Sequence, residues 1–380
     1  MMKRIIISVA LLSTVVVGVI GCSQGQPATE FSFKLPAGFP APIVPADNPM
    51  TIEKVKLGRY LFYDTKLSGN QTFSCGSCHQ QSLAFTDGKV TPVGSTGGIL
   101  ARNSMALGNV AYYNYLTWGN PLITSLEEQM LVPMFGDSPM ELGLGDLAGA
   151  ALARLQADPM YQQMFAVAFP GQGNAFTIQN VINAIATFER TLIDGNSAYD
   201  RYEAGDSTAM SDSAVRGRNA FFAEKLDCYH CHAAPTFTTA FVSVNTPTAP
   251  RDFRNDAIYN IDGAGGFPPN NTGLYGFTLF ENDMGKFRVP TLRNIMLTAP
   301  YFHDGSAATI DDVIDSYAHG GRLIPAGQPY AGDGSTSPHR DPLVKGFTLS
   351  DDERADLKAF LSALTDDDLI TNPDFSDPFQ

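Results

Sequence analysis

Two short runs constrain this chain more than anything else in it: Cys75-Gly76-Ser77-Cys78-His79 and Cys228-Tyr229-His230-Cys231-His232. In Cys-x-x-Cys-His the two thiols form thioethers with haem vinyl groups, and the adjacent imidazole reaches the iron. The spacing matters because one short turn must set both sulfurs at one porphyrin edge and the ring beneath the metal. A zinc site is the competing reading. Paired Cys-x-x-Cys zinc sites lie ~15–20 residues apart, whereas most of a domain separates Cys78 from Cys228. Two covalently bound haem c groups are therefore expected, attached through Cys75, Cys78, Cys228 and Cys231, with His79 and His232 on the two irons.

The fifth cysteine, Cys22, has a different setting. Lys3 and Arg4 form a basic start, Ile5 to Ile20 is an apolar run, and Val19-Ile20-Gly21-Cys22 follows the pattern of a bacterial lipoprotein cleavage site. The expectation is a signal peptide over 1–21 and a lipid on Cys22. That gives a periplasmic protein tethered to the outer membrane through its N-terminal lipid only, with an uncleaved membrane anchor as the alternative. Residues 22–48 are rich in Pro, Gln and small side chains and read as a flexible tether. No cysteine is left over for a disulfide. The formal net charge of −14 argues against nucleic acid as a partner, because an acidic surface repels phosphate.

At 380 residues the chain is long enough for two domains. Helical spacing of apolar residues predicts helices near 49–63, 124–132, 146–157, 159–168, 177–193, 211–225, 309–318 and 350–364. Thr309 and Ser350, the latter with Glu353 three residues on, serve as N-caps. Strand signals are few. The expected fold is mainly α, with two cytochrome c-like haem domains, long loops and little strand: 49–195 for the first haem and 196–380 for the second, broken at Gly195-Asn196-Ser197. Each half repeats one plan of a helix, then Cys-x-x-Cys-His, then a long loop.

Beyond the two motif histidines there are only His230, His303, His319 and His339. None lies between His79 and His230, so the loop after the first motif offers no imidazole to close that haem's distal side. An open iron there could bind peroxide.

At this point the chain resembles the bacterial di-haem cytochrome c peroxidase and MauG superfamily over roughly residues 45–365. The resemblance rests on Leu57-Gly58-Arg59-Tyr60-Leu61-Phe62-Tyr63-Asp64, Arg102-Asn103, Trp118 and Leu126-Glu127-Glu128-Gln129. It continues through Val289-Pro290-Thr291-Leu292-Arg293-Asn294, running on to Thr298-Ala299-Pro300-Tyr301-Phe302-His303-Asp304-Gly305. It implies that His79 serves the peroxidatic haem and His232 the second haem. Gln129 and Pro133 would line the first haem's distal pocket, with Glu141 as its acid/base. Trp118, the only tryptophan, would relay electrons or holes between the haems. Asn103 and the carbonyls of Thr298 and Pro300 would hold one calcium ion. Glu127 and Glu128 read as helix-surface residues.

The resemblance also divides the superfamily. In the peroxidases a Met lies fourteen residues beyond the His of the Pro-Tyr-Phe-His segment and ligates the second haem; here that residue is Tyr317. In MauG-type enzymes a tyrosine is the ligand, and its oxygen favours oxidised iron more than a thioether does. Leu226 stands where MauG has a surface tryptophan. The stretch from Ser125 to Leu144 is more similar to the MbnH-type enzymes, which use hydrogen peroxide and a high-valent di-haem state to oxidise a tryptophan of a copper-linked partner, MbnP. The implied function is that of a peroxide-dependent oxidoreductase acting on a partner protein. A di-haem cytochrome c peroxidase served by a small electron-transfer protein, and a non-enzymatic di-haem electron carrier, stand as alternatives.

Overall fold

The computed structural model describes residues 29–380. The expected signal peptide, the lipid site Cys22 and the first residues of the expected tether lie outside that range.

The first half is built on α1 (Ile52–Tyr63), α2 (Cys75–Cys78), α3 (Leu126–Gln129), α4 (Leu131–Phe135), α5 (Ala148–Gln156), α6 (Pro159–Ala168) and α7 (Ile178–Glu189). Thr51 and Thr177 cap α1 and α7 by accepting from Lys54 N–H and Asn180 N–H. Leu57, Leu61 and Phe62 of α1 meet Val181, Ile185 and Phe188 of α7 in the first core. Each such side chain contributes roughly 1.5–3 kcal/mol when fully buried.

The second half adds α8 (Ala198–Glu203), α9 (Asp212–Phe221), α10 (Tyr275–Thr278), α11 (Ile310–His319), α12 (Asp351–Ser362) and α13 (Asp367–Thr371). Its core joins Ala214 and Phe221 of α9 to Leu357, Phe360 and Leu361 of α12. Among the described residues, strand is confined to two antiparallel pairs: β1 (Phe253–Arg254) with β2 (Phe287–Arg288), and β3 (Leu323–Ile324) with β4 (Gly332–Asp333). The mainly helical fold is as expected.

The repeated plan extends to atomic packing. Gly58 of α1 lies so close to α7 that a Cβ would meet the Ala184 carbonyl oxygen at 1.9 Å and the Phe188 Cβ at 2.9 Å. Gly217 of α9 stands in the same relation to α12, at 1.9 Å from the Asp356 oxygen and 2.9 Å from the Phe360 Cβ. Each half thus crosses its two main helices at a glycine.

The halves meet at a buried polar joint near the expected boundary. Arg293, 1% exposed, donates to Asp200 at 2.7 and 2.8 Å and lies 3.4 Å from Asp194. Asn294 donates to Asp194, and Asp366 accepts from the N–H groups of Gly195 and Asn196. The chain then returns, and Leu369 of α13 packs into the first core.

Residues 29–48 do not behave as a free tether. Phe39 is buried edge-on against Tyr112, whose hydroxyl donates to the Pro40 carbonyl. Asn48 donates to Glu127 and to the Asn183 carbonyl. Apolar residues among the prolines bring this segment down onto the first half. Phe31 N–H also bonds the Met50 carbonyl.

Candidate functional site

The two Cys-x-x-Cys-His runs present their imidazoles in the same way. α2 is closed at its start by reciprocal bonds between Ser74 and Ser77, and His79 follows at its end. His79 Nδ1 lies 2.8 Å from the carbonyl oxygen of Phe85, and His232 Nδ1 lies 3.2 Å from that of Phe237. Both phenylalanines are fully buried, and both hold a left-handed backbone, with φ of 62° and 52°. That turn aims each carbonyl back at the imidazole. With Nδ1–H so engaged, Nε2 keeps its lone pair for a metal. Burial favours the neutral ring: it lowers His79 and pulls His232 down to about 4.

The cysteine pairs lie in separate surroundings, Cys75 against the first core and Cys228 against the second. Burial pushes Cys228 up to about 12 and Cys78 and Cys231 up to about 11. The two pairs sit against different cores and do not converge on a shared zinc site.

A large cavity opens beside the second motif. Cys228, Cys231, His232, Tyr317, Trp118 and Arg288 are among its lining residues, and its volume is about 1680 Å³ with the mouth included. Arg288 tests whether haem fits. Its side chain is buried, its guanidinium lies over the Tyr113 ring at 5.0 Å, and its Nε and Nη1 have no hydrogen-bond partner. Burial, with no facing carboxylate, pulls it down to about 10. A buried cation without an anion is costly. The carboxylates of a haem attached at Cys228 and Cys231 would supply the missing charge.

Tyr317 projects from α11 into this cavity. Burial, then the charges of Asp256 and Cys231, hold its phenol well above the usual value. Asp256 is itself raised to about 7 by burial and by Asp304. Leu226 is buried in the second core and lines the same cavity, so the position of the MauG tryptophan offers no surface aromatic.

At the first motif, Glu141 is half-buried, and its charge reaches Cys75 and Cys78, helping to raise both thiols. Its backbone is pinned on two sides: Ser95 N–H bonds the Glu141 carbonyl, and Leu142 N–H bonds the carbonyl of Pro133 in α4. Burial raises the Glu141 carboxyl. Gln129 ends α3 and is half-buried. Glu127 departs from its expected surface position. It pairs with Arg190 at 2.6 Å, where the arginine is 4% exposed, and accepts from Asn48. Glu128 closes the α3 capping box with Ser125.

Trp118 hangs between the two motifs. Its indole N–H donates to the Asn103 carbonyl at 2.9 Å, and the next residue, Ser104, donates to the Cys78 carbonyl at 2.7 Å. On the other side, Arg288 N–H bonds the Trp118 carbonyl at 2.8 Å. Asn103, Thr298 and Pro300 all border the cavity. The Asn103 amide donates to the carbonyls of Lys89 and Val90, which leaves its Oδ1 free. Among the described residues, the carbonyls of Thr298 and Pro300 accept no backbone bond. Three free hard oxygens suit Ca²⁺.

Cytochrome-c peroxidase IdrP1 of Denitromonas iodatirespirans is 35% identical to this chain, over 85% of this chain and 84% of its own. The chain belongs to the di-haem cytochrome c peroxidase and MauG family. The di-haem cytochrome c peroxidase family profile matches residues 52–208. The methylamine utilization protein MauG of Methylophilus methylotrophus is 31% identical over 94% of both chains. The crystal structure of a MauG-like protein associated with microbial copper homeostasis superposes with a TM-score of 0.90, at 45% identity, over 92% of this chain and 100% of that one. Membership makes the protein a haem-dependent oxidoreductase of the peroxidase class with two c-type haems and hydrogen peroxide as oxidant.

Sequence reasoning gave no role to Arg288, His303 or Asp256, all of which face the haem cavity of this family member. The one available signal was an arginine inside the apolar run Phe287-Arg288-Val289-Pro290. His230, exposed inside the second motif, meets the buried Asp227, and Lys345 holds the other oxygen of Asp227.

Proposed function

We propose that this protein uses hydrogen peroxide to withdraw electrons from a partner protein, as MauG-type enzymes do, and that the partner's tryptophan is the group oxidised. The observation that carries the reading is Tyr317, which occupies the cavity of the second motif where the peroxidases have a methionine. The similarity to a MauG-like protein associated with copper homeostasis supports a copper-linked, MbnP-like partner.

Two haems, attached at Cys75/Cys78 and Cys228/Cys231, would supply the redox capacity for the two-electron, two-proton reduction of peroxide to water. His79 and His232 would each ligate a haem iron, and Tyr317 would be a further ligand at the second haem. A phenolate oxygen favours oxidised iron, so Tyr317 as a ligand would make the second haem a poor acceptor for electrons from a cytochrome. Glu141 and Gln129 would line the pocket that peroxide enters beside the first motif, where Glu141 would take a proton from the peroxide and return it to the leaving oxygen. Trp118 carries charge between the two centres. Asn103 and the carbonyls of Thr298 and Pro300 would hold a calcium ion, which would stiffen the segment that accepts the indole N–H. The chain acts in the periplasm, anchored to the outer membrane by lipid on Cys22. No helix among the described residues is long and apolar enough to cross a membrane.

The test is to incubate the diferric protein with peroxide and a small periplasmic copper-binding protein, then to map the partner by peptide mass spectrometry. Modification of a single tryptophan, absent without peroxide, is the expected result. An unmodified partner, with peroxide turned over only when reduced cytochrome is added, would establish the peroxidase reading, which the identity to a cytochrome-c peroxidase favours.

A further inference from the structure

His303 is 3% exposed, lines the haem cavity and has no hydrogen-bond partner for Nε2. An unpaired buried ring nitrogen is costly, so a site that keeps one has a use for it. The ring is held rigidly. Phe287 stacks on it with centroids 3.6 Å apart and planes 14° off parallel. The Trp118 indole stands edge-on at 6.4 Å and 66°. The backbone is tied to the same neighbour, because the His303 carbonyl takes the Asn103 N–H at 2.8 Å and the Asn103 carbonyl takes the Trp118 indole N–H.

The charged groups around the ring narrow what Nε2 can meet. Asp304, next in sequence, is already engaged by the Tyr259 hydroxyl at 2.6 Å and the Ser306 N–H. Arg102 donates to Asn271 and lies over the other stacking partner, Phe287. Arg288, in the same cavity, also has nitrogens without a partner. Two orphaned donors, both more than nine-tenths buried, therefore border one cavity, and no protein carboxylate accepts from either. The group they await is anionic and arrives with the haem.

We infer that His303 and Arg288 form a clamp for a carboxylate of the haem attached at Cys228 and Cys231, and that His303 is thereby a positioning residue for Trp118. Nε2–H donates to the carboxylate, Phe287 fixes the plane of the ring, and the edge of the ring sets the indole. The haem's carboxylate and the inter-haem tryptophan are thus held by one side chain.

The inference concerns haem binding and stands or falls independently of which substrate is oxidised. It is tested on the holoprotein with His303→Phe, which keeps the stack on Phe287 and removes the donor, and His303→Gln, which keeps a donor. Resonance Raman spectra of the reduced protein report the haem carboxylate bending vibration, and spectroelectrochemistry reports the potential of the His232 haem. The bending band is expected to shift in the Phe variant and to stay at the wild-type position in the Gln variant. The Phe variant's potential should fall by about a tenfold change in the reduction constant, ~59 mV, because an unsatisfied carboxylate favours oxidised iron. A wild-type band and potential in His303→Phe would overturn the inference. If the Phe variant loads no haem, the Gln variant decides: a wild-type band supports the clamp, and a shifted band overturns it.

Discussion

Trp118 gives its indole N–H to the carbonyl oxygen of Asn103, 2.9 Å away. One residue on, Ser104 bonds the carbonyl of Cys78. The only tryptophan is thus fastened to the attachment loop of the first haem while it lines the cavity of the second. The proposed relay role of Trp118 would need that double fastening, which holds the indole at a constant distance from both motifs.

Trp118→Phe keeps a ring and loses the N–H bond. Stability should fall by about 1 kcal/mol, the usual net worth of one such bond. Both haems should still load. Oxidation of the partner by peroxide should slow at least about tenfold, equivalent to ~1.4 kcal/mol on the barrier, as read by stopped-flow absorption. An unchanged rate would show that charge passes between the haems by another route.

Glu141→Gln keeps the shape of the half-buried side chain and removes its proton chemistry. The second-order reaction of the diferric protein with peroxide should slow by about 10²- to 10⁴-fold, the range for a lost general acid/base. Binding of cyanide to the same haem should change far less. Equal losses in both would assign Glu141 to access rather than to proton transfer.

The Glu127–Arg190 pair supports the first half at low exposure on both sides. Burial alone would raise Glu127, but the hydrogen bonds and charge of Arg190 outweigh it and hold the carboxyl below its usual value. A carboxyl depressed in the folded state stabilises above its unfolded pKa, and that stability is lost as pH falls through the folded one. Glu127→Gln should therefore cost roughly 3–5 kcal/mol near pH 7, as for a broken buried pair. The difference from wild type should shrink below about pH 4. Urea unfolding at the two pH values measures it.

Gly58→Ala and Gly217→Ala each force a Cβ to within 1.9 Å of a carbonyl oxygen on the facing helix. Each should cost about 1–3 kcal/mol as overpacking. The effects should separate by half, with hydrogen exchange accelerating around α1 and α7 for the first and around α9 and α12 for the second. Loss of protection across both halves from either change would mean that the two cores unfold as one.

Much of this was legible in the chain because it is local. Two attachment motifs and the helix caps at Thr309 and Ser350 are set by spacing along the sequence, while the place of Tyr317 was implied by the family resemblance. The missing roles depend on what is absent around a residue. Arg288 and His303 matter because no protein group answers their nitrogens, and that is a property of packing from several segments at once. Glu127 was misjudged for a related reason. Its partner Arg190 lies at the end of α7, far along the chain, and Asn48 comes from a stretch whose prolines suggested a tether. Phe39 shows why that suggestion failed, since a single apolar ring found a pocket against Tyr112.

The central claim is that the two haem centres are unequal, one open beside Glu141 and one closed by Tyr317. The most direct measurement is rapid mixing of the fully diferric protein with one equivalent of hydrogen peroxide, with no reductant present, followed through the absorption of both haems. Prompt oxidation of both centres is expected, with changes at the second haem that are altered in Tyr317→Met. A diferric protein that ignores peroxide until one haem has been reduced, with an unchanged second-haem spectrum in Tyr317→Met, would contradict it.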